Sequence, residues 1–110
     1  MARYMILVYE RELPLDAEDV PPEVMEAHMW LPKRVEESGG KILYGHGALP
    51  VSTATSIRGG VVTEGPFVDS AEAFAGFYVV EASDLYHAVS IGRMVPVVDG
   101  GVEVRPLISA

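Results

Sequence analysis

The sequence holds three histidines, the side chains best suited to proton transfer near neutral pH. His28 is the sharpest candidate, because it falls in the apolar stripe of a predicted helix. An apolar wall lowers the pKa of a histidine and favours the neutral form, which can take a proton from carbon or oxygen. The plainer alternative is a half-buried histidine with a structural role only. His28 is therefore our first candidate for a general base.

Three further residues are candidates for the same chemistry. His46 shares a predicted strand face with Tyr44, and either side chain could donate a hydrogen bond to a carbonyl or phenolic oxygen. Asp69 follows a glycine-proline turn and could orient a histidine or act as a base, although such acids usually cap or solvate the turn. His46 could equally be a strand-end histidine at a solvent rim. We expect His28 and His46 to point into one cavity, and this site fails if the sheet separates them.

A second group of residues is predicted to contact a substrate. Arg58, at the tip of a predicted hairpin, could bind a carboxylate, although arginines in such places are more often only solvated. Trp30, Phe67 and Tyr78 could line a pocket for a ring, although most aromatic residues of a small domain lie in its core. Phe67 is expected to close the pocket.

The composition limits the classes of partner. The chain has 110 residues, which fits one domain over residues 1–110, and a net charge of −8 from 8 basic and 16 acidic residues. Nucleic acid is not an expected partner, because binding to its phosphates needs clustered cationic charge. The absence of cysteine excludes disulfides and thiolate metal sites, and we expect a cytoplasmic protein.

Cofactor and membrane motifs are not found in the sequence. No pair of histidines has the short spacing that places two metal ligands on one face, and no glycine-rich phosphate loop or nucleophile-elbow serine is present. No apolar run approaches the ~20 residues of a membrane helix. We therefore expect no metal, no cofactor and no membrane partner.

Periodicity and turn residues predict an α+β protein. Strands are predicted over residues 4–9, 41–49, 53–58, 61–64, 74–81 and 102–107, and a loop over residues 10–19. The first of two helices is predicted to open at Pro21-Pro22, and Ser83-Asp84 to cap the second. The alternation in the second strand puts Ile42, Tyr44 and His46 on one face. In the second helix, Leu85, Ala88, Val89 and Gly92 are expected to pack inward, whereas His87 is expected to be exposed.

This element order is the split βαβ, or ferredoxin-like, arrangement with an added β-hairpin. Two helices can cover only one face of such a sheet, so the other face needs a partner. The usual solution is a second copy, which joins two sheets into a dimeric α/β barrel. We therefore expect a homodimer.

The turn at residues 63–72, TEGPFVDSAE, resembles the signature of the YCII-related, or DGPF, family, which reads roughly T-D-G-P-F-x-E-T-K-E before a glycine-containing strand. Residues 3–5, 76–80 and 102–106 also sit where that family has similar residues, so the resemblance covers nearly the whole chain. It implies ferredoxin-like subunits that form dimeric α/β barrels. Some members are proposed to be acid/base enzymes on small organic molecules, and others are found in connection with extracytoplasmic-function sigma factors.

The sequence departs from that pattern at the turn, where Glu64, Asp69 and Ala71 replace the leading aspartate, the second acid and the lysine. His28 resembles a helix histidine that the family is proposed to use as half of a His-Asp dyad. The matching aspartate is absent, because residues 49–52 contain no acid.

Two functions are consistent with these features. The first is a dimeric enzyme that moves a proton without a cofactor, as a lyase, isomerase or cyclase, on a small aromatic or polyketide-like molecule. The second is a non-catalytic regulatory module that binds a ligand or a protein, including a module linked to a sigma factor. The sequence does not name the substrate.

Overall fold

The computed structural model describes residues 1–12 and 21–109. Most of the loop predicted over residues 10–19 lies outside the described residues. The elements in chain order are β1 (Ala2–Arg11), α1 (Pro22–Glu37), β2 (Lys41–Gly47), β3 (Thr55–Arg58), β4 (Val61–Glu64), β5 (Glu72–Ala82), α2 (Leu85–Met94) and β6 (Gly100–Pro106). A single 3-10 turn covers Val51–Thr53. All of the predicted helices and strands are present.

The main sheet has four strands in the order β2-β5-β1-β6, and every neighbouring pair is antiparallel. This is the strand order of the ferredoxin-like fold, so the α+β prediction is confirmed. Strands β3 and β4 form a separate two-stranded hairpin. Its two-residue turn, Gly59 and Gly60, has positive φ at both positions, as a tight hairpin turn of this length requires.

The core lies between the sheet and the two helices. Alternate residues of β1, namely Tyr4, Ile6 and Val8, are buried against the helices. Leu31 and Val35 of α1 pack against them, which confirms the predicted apolar stripe of this helix. Because the helices cover one face only, the intervening residues of β1 lie on the opposite face of the sheet, here called the open face.

Helix α2 packs through a different stripe from the one predicted. Ala88, Ile91 and Gly92 are buried, whereas Leu85 and Val89 are exposed, so the inward positions given to Leu85 and Val89 are wrong. Gly92 allows close packing, because a methyl group there would lie 3.0 Å from a Val104 side-chain carbon. The predicted cap at Asp84 is confirmed by the hydrogen bond that its carboxylate accepts from the backbone.

The His87 side chain connects the ends of the two helices and is not the exposed side chain that the sequence suggested. The Ser83 backbone N–H donates to His87 Nδ1 at 3.0 Å, and Ser38 Oγ lies 3.1 Å from Nε2. Because Nδ1 accepts a backbone hydrogen bond, Nε2 carries the proton in the neutral ring. His87 therefore has a structural role at this junction.

The register of β2 contradicts the simple alternation predicted from the sequence. Ile42 pairs with Val80, but Tyr44 pairs with Val79, so a bulge at Leu43 adds one residue to β2. Ile42 consequently faces the helices, whereas Tyr44 and His46 face the other side of the sheet.

The open face is not covered by either helix and is largely apolar, although it also carries the charged residues Arg3, Glu81, Glu103 and Arg105. It carries Met5, Leu7, Tyr9, Tyr44, Phe74, Phe77 and Val79, from three neighbouring strands. Within residues 1–12 and 21–109, no helix is long and apolar enough to cross a membrane.

Candidate functional site

His28 and Tyr78 form a hydrogen-bonded pair on the helix-covered side of the sheet. His28 Nδ1 lies 2.8 Å from the Tyr78 hydroxyl oxygen. The two rings are close to parallel, with centroids 6.3 Å apart and planes inclined by 23°. The structure therefore couples the predicted general base directly to a residue that the sequence had suggested only as a pocket wall.

Local sequence explains how the two side chains meet. His28 lies in the stripe of α1 that includes the buried Leu31 and Val35, so its ring turns toward the sheet. Tyr78 faces the helices because it lies two residues from the buried Val80 on β5. Across the ladder from Tyr78 is Gly45 of β2.

Gly45 is the residue that lets the Tyr78 ring lie flat across β2. A methyl group on Gly45 would lie 2.5 Å from the Tyr78 Cδ1 atom, closer than two carbons can approach. Gly47, two residues further on, points to the same side, and a methyl group there would meet nothing within 4 Å. The first glycine is therefore required by packing, whereas the second leaves open space.

The pair borders a cleft of about 440 Å³ at the end of the sheet, which we call the histidine cleft. Its walls come from the start of α1, the residue Pro96 beyond α2, and the neighbouring ends of three strands. The bordering residues are Val8, Glu10, Met25, His28, Gly45, His46, Gly47, Ala75, Gly76, Phe77, Tyr78 and Pro96. The volume suits a small organic molecule.

Electrostatics keep both members of the pair uncharged near neutral pH. Burial lowers the pKa of His28 below its ordinary value, and the carboxylate of Glu10 offsets part of that effect. Burial raises the pKa of Tyr78 above its ordinary value. The Glu10 carboxylate itself accepts a hydrogen bond from the Val98 backbone N–H at 2.6 Å. A neutral imidazole beside a neutral phenol is the resting state.

Two tautomers of His28 are consistent with the 2.8 Å contact, and they offer different groups to a ligand. If the Tyr78 hydroxyl donates to Nδ1, then Nε2 carries a proton that it can donate. If Nδ1–H donates to the tyrosine oxygen, then Nε2 has a free lone pair and the phenol proton is available to a ligand. Among the described residues, no protein group is hydrogen-bonded to Nε2.

His46 is not brought together with His28. The His46 ring lies 5.6 Å from the Tyr44 ring, and the Tyr44 ring lies 5.7 Å from Phe77, on the open face. His46 also borders the histidine cleft, but its ring and that of His28 are on opposite sides of the sheet. The single cavity expected for the two histidines is therefore not what the structure shows.

A larger cleft of about 830 Å³ separates the β3-β4 hairpin from the open face. The edge-to-face pair of Tyr9 and Phe74, with centroids 6.1 Å apart, lies at its base. Phe67 borders it, and the Arg58 guanidinium carbon lies 4.0 Å from the Phe67 ring centroid. Its residues come from the hairpin, the turn after β4 and the strand ends, and include no histidine. We call this the hairpin cleft.

Asp69 and Trp30 border neither of these two clefts. Asp69 lies in the exposed turn before β5. Trp30 is half exposed on the outer side of α1, with the Lys33 ammonium 5.5 Å from its ring centroid. The sequence candidates are thus spread over several places, and only His28 and Tyr78 are in hydrogen-bond contact with each other.

Sequence reasoning missed the role of Tyr78 as the partner of His28, and also the contribution of Glu10. No local signal could have identified the tyrosine, because the two residues are 50 positions apart and meet through sheet register. Residues 49–51, where the family resemblance implies an aspartate, border the hairpin cleft and not the histidine cleft. Among the described residues, no group of three or more His, Asp or Glu side chains could hold a metal ion.

Comparison with protein families agrees with the resemblance seen in the turn and strands. The profile of the YCII-related domain matches residues 2–110, essentially the whole chain. The chain belongs to the YCII-related family. The search of curated protein sequences found no match to this YCII-related protein.

Substituting Gly45 by alanine is expected to break the His28–Tyr78 contact. The new methyl group displaces the tyrosine ring, which lowers the free energy of unfolding by about 1–3 kcal/mol as in other overpacked sites. Displacement of the tyrosine ring exposes His28 to water and so reduces the burial that lowers its pKa, which moves the pKa of His28 up toward its ordinary value. Urea denaturation and NMR titration of the His28 ring measure the two effects.

Gly47→Ala is the matched control for this experiment, because its methyl group meets no neighbouring atom and its φ is not in the left-handed region. We expect its stability and the pKa of His28 to be close to those of the unsubstituted protein. Equal effects of the two substitutions would contradict the packing role given to Gly45.

The neutral, half-buried ring of His28 also predicts a pH dependence of the free energy of unfolding. The pKa of His28 in the folded protein lies below the ordinary value of 6.5, so the unfolded chain binds this proton more readily. The stabilisation is complete above the unfolded pKa and is lost as pH falls through the folded pKa. We expect the free energy of unfolding to fall more steeply with acidification in the unsubstituted protein than in His28→Gln, measured by urea denaturation at fixed protein concentration. A difference independent of pH would refute this.

Proposed function

We propose that this YCII-related protein is a cytoplasmic homodimeric α/β barrel that transfers protons without a cofactor, as a lyase, isomerase or cyclase, on a small aromatic or polyketide-like molecule. The observation that carries the proposal is the hydrogen bond between His28 and Tyr78 at the border of the histidine cleft. A neutral histidine in a half-buried site is a base suited to neutral pH.

The pair supports the following reaction. With Nδ1–H of His28 donating to the Tyr78 oxygen, the lone pair of Nε2 takes a proton from a carbon next to a carbonyl group. The C–H bond breaks, its electron pair moves toward the carbonyl oxygen, and the Tyr78 O–H donates a hydrogen bond to the enolate that forms. Nε2–H then returns the proton to the same or another carbon, or to a leaving group. No oxidant, reductant or cofactor is consumed.

The phenol partner determines how strong this base is. A carboxylate beside Nδ1 stabilises the imidazolium and raises the pKa of a histidine, whereas a neutral phenol in a half-buried site does so far less. His28 therefore remains unprotonated at neutral pH but is a weak base. Such a base suits carbon acids activated by two carbonyl groups or by an aromatic ring, which is the chemistry of polyketide-like molecules.

The open face supports the dimer, because it is a largely apolar surface that neither helix covers. A stable interface buries about 800 Å² of each partner. The ion pairs Arg3–Glu81 and Glu103–Arg105 lie on the same face of the sheet.

A second candidate function rests on the hairpin cleft. It has about twice the volume of the histidine cleft, is lined by Phe67, Tyr9 and Phe74, and contains no histidine. Such a site suits binding of an apolar ligand without chemistry. This observation favours a ligand-binding regulatory module, the alternative in which a sigma factor or another protein responds to the ligand.

Exchange of carbon-bound protons tests the catalytic proposal without knowledge of the natural substrate. The protein is incubated in D₂O with a panel of cyclic 1,3-diketones and hydroxyaryl ketones, and deuterium uptake is followed by NMR. We expect catalysed uptake that falls about 10²-fold or more in His28→Gln and by a smaller factor in Tyr78→Phe. The rate should rise with pH through the pKa of His28, because only the unprotonated ring accepts a proton.

The variant His46→Gln tests, in the same exchange assay, whether a histidine on the open face contributes to proton transfer. Unchanged exchange is expected, since its ring lies across the sheet from His28. Exchange that survives His28→Gln at full rate would remove the histidine cleft from the mechanism. Thermal stabilisation by a ligand without any exchange would support the binding module instead.

The dimer is tested by placing a charge on the open face. Tyr44 is 56% exposed on this face, and Tyr86 is 87% exposed on α2. We expect Tyr44→Lys to shift the protein toward monomer in sedimentation at micromolar concentration, because two lysines would be buried at a two-fold interface. Tyr86→Lys should sediment as the unsubstituted protein does. A monomeric unsubstituted protein, or identical dimers in both variants, would count against this interface.

A further inference from the structure

Among the described residues, no lysine or arginine borders the histidine cleft. Twelve described residues border it, and the only Asp, Glu, Lys or Arg among them is Glu10. The whole chain carries a net charge of −8. The local and the overall charge therefore have the same sign.

This charge distribution acts against anionic ligands. A carboxylate that enters a cleft loses part of its hydration, and this loss is recovered only when a cation or several hydrogen-bond donors replace the water. The cleft offers the His28–Tyr78 pair for this purpose, while the negative charge of Glu10 repels the incoming anion. An uncharged ligand has no such penalty.

The shape of the histidine cleft also favours flat ligands. Gly45, Gly47 and Gly76 all border it, and the Tyr78 ring lies across Gly45. Gly47 faces Gly76 across the β2-β5 ladder, and a methyl group at Gly47 would meet nothing within 4 Å. The uncovered backbone at Gly47, beside the Tyr78 ring, leaves space in which a flat ring can lie. The phenol and imidazole at its border can hold one oxygen of that ring.

From these observations we infer that the histidine cleft selects an uncharged, flat molecule with a carbonyl or phenolic oxygen and rejects carboxylates and phosphate esters. This inference rests on the proposed function in one respect, namely that the histidine cleft is the site that binds the substrate. It concerns the substrate class, and binding can test it even where no reaction is followed.

A matched pair of probes measures the discrimination directly. We use 4-methoxyacetophenone and 4-methoxybenzoate, which have the same ring and differ in the charge of the group that carries the oxygen. Binding is followed at neutral pH by NMR, through the backbone amide signals of Gly45, Gly47 and Gly76. We expect the ketone to bind at least about tenfold more tightly than the carboxylate, since the anion finds no cation in the cleft.

A second experiment introduces a cation at the histidine cleft. Gly47 points into open space at the cleft, so Gly47→Lys adds an ammonium group without displacing a neighbour. We expect this variant to bind 4-methoxybenzoate at least about fivefold more tightly than Gly47→Gln does, with similar affinities of the two for the ketone. Gly47→Gln is the matched control, because it adds a polar chain without charge.

The outcomes separate this inference from the proposed function. Equal or tighter binding of the carboxylate by the unsubstituted protein would overturn the inference, whether or not proton exchange is catalysed. So would failure of the ketone, at millimolar concentration, to shift the glycine signals. Selective binding of the ketone with no deuterium exchange on any tested compound would uphold the charge selectivity and overturn the catalytic proposal.

Discussion

The pairing of β2 with β5 is the constraint on which the site depends. One extra residue at Leu43 shifts the register, so that Gly45 lies opposite Tyr78 and Tyr44 turns to the open face. Because only a glycine leaves room for the tyrosine ring at this point, the ring can lie across β2 and reach His28. Without the bulge, the alternation of β2 would put side chains where the ring now lies. The position of the partner of His28 is thus determined by a backbone irregularity at Leu43, far from Tyr78 in sequence.

Most of the fold could be predicted from the sequence, because its signals are local. Pro22 begins α1 and Gly39, with φ of 90°, follows its end, while Gly59 and Gly60 form the hairpin turn. The order of elements then allowed few topologies, and the ferredoxin-like order is the one observed. The sequence did not predict correctly which side chains of β2 and α2 face the core. A bulge depends on pairing with another strand, and in α2 a wide apolar arc did not reveal that Ile91, and not Leu85, turns inward.

The candidate site was predictable only in part, for the same reason. His28 could be identified because helical periodicity is visible within one segment. Its pairing with Tyr78 could not, since the contact joins residues brought together by two sheet ladders. The sequence also merged two separate places into one pocket. Phe67 and Arg58 belong to the hairpin side of the molecule, whereas His28 is on the helix side, and the sheet lies between them. The type of a residue does not show on which side of the sheet its side chain lies.

The identity of the histidine's partner determines which proton transfers the cleft can support. A His-carboxylate pair holds a cation well, so it can bind anions and act as a strong base. A His-phenol pair in a half-buried site favours neutrality on both sides, as burial lowers the pKa of His28 and raises that of Tyr78. In the proposed reaction, this burial therefore disfavours charge on either side chain. The lack of lysine and arginine among the described residues at the cleft border fits that proposal, because a neutral substrate that becomes an enolate needs a donor at one oxygen and not a permanent counter-ion. The net negative charge of the chain and the uncharged pair therefore both fit the uncharged ligand that we propose.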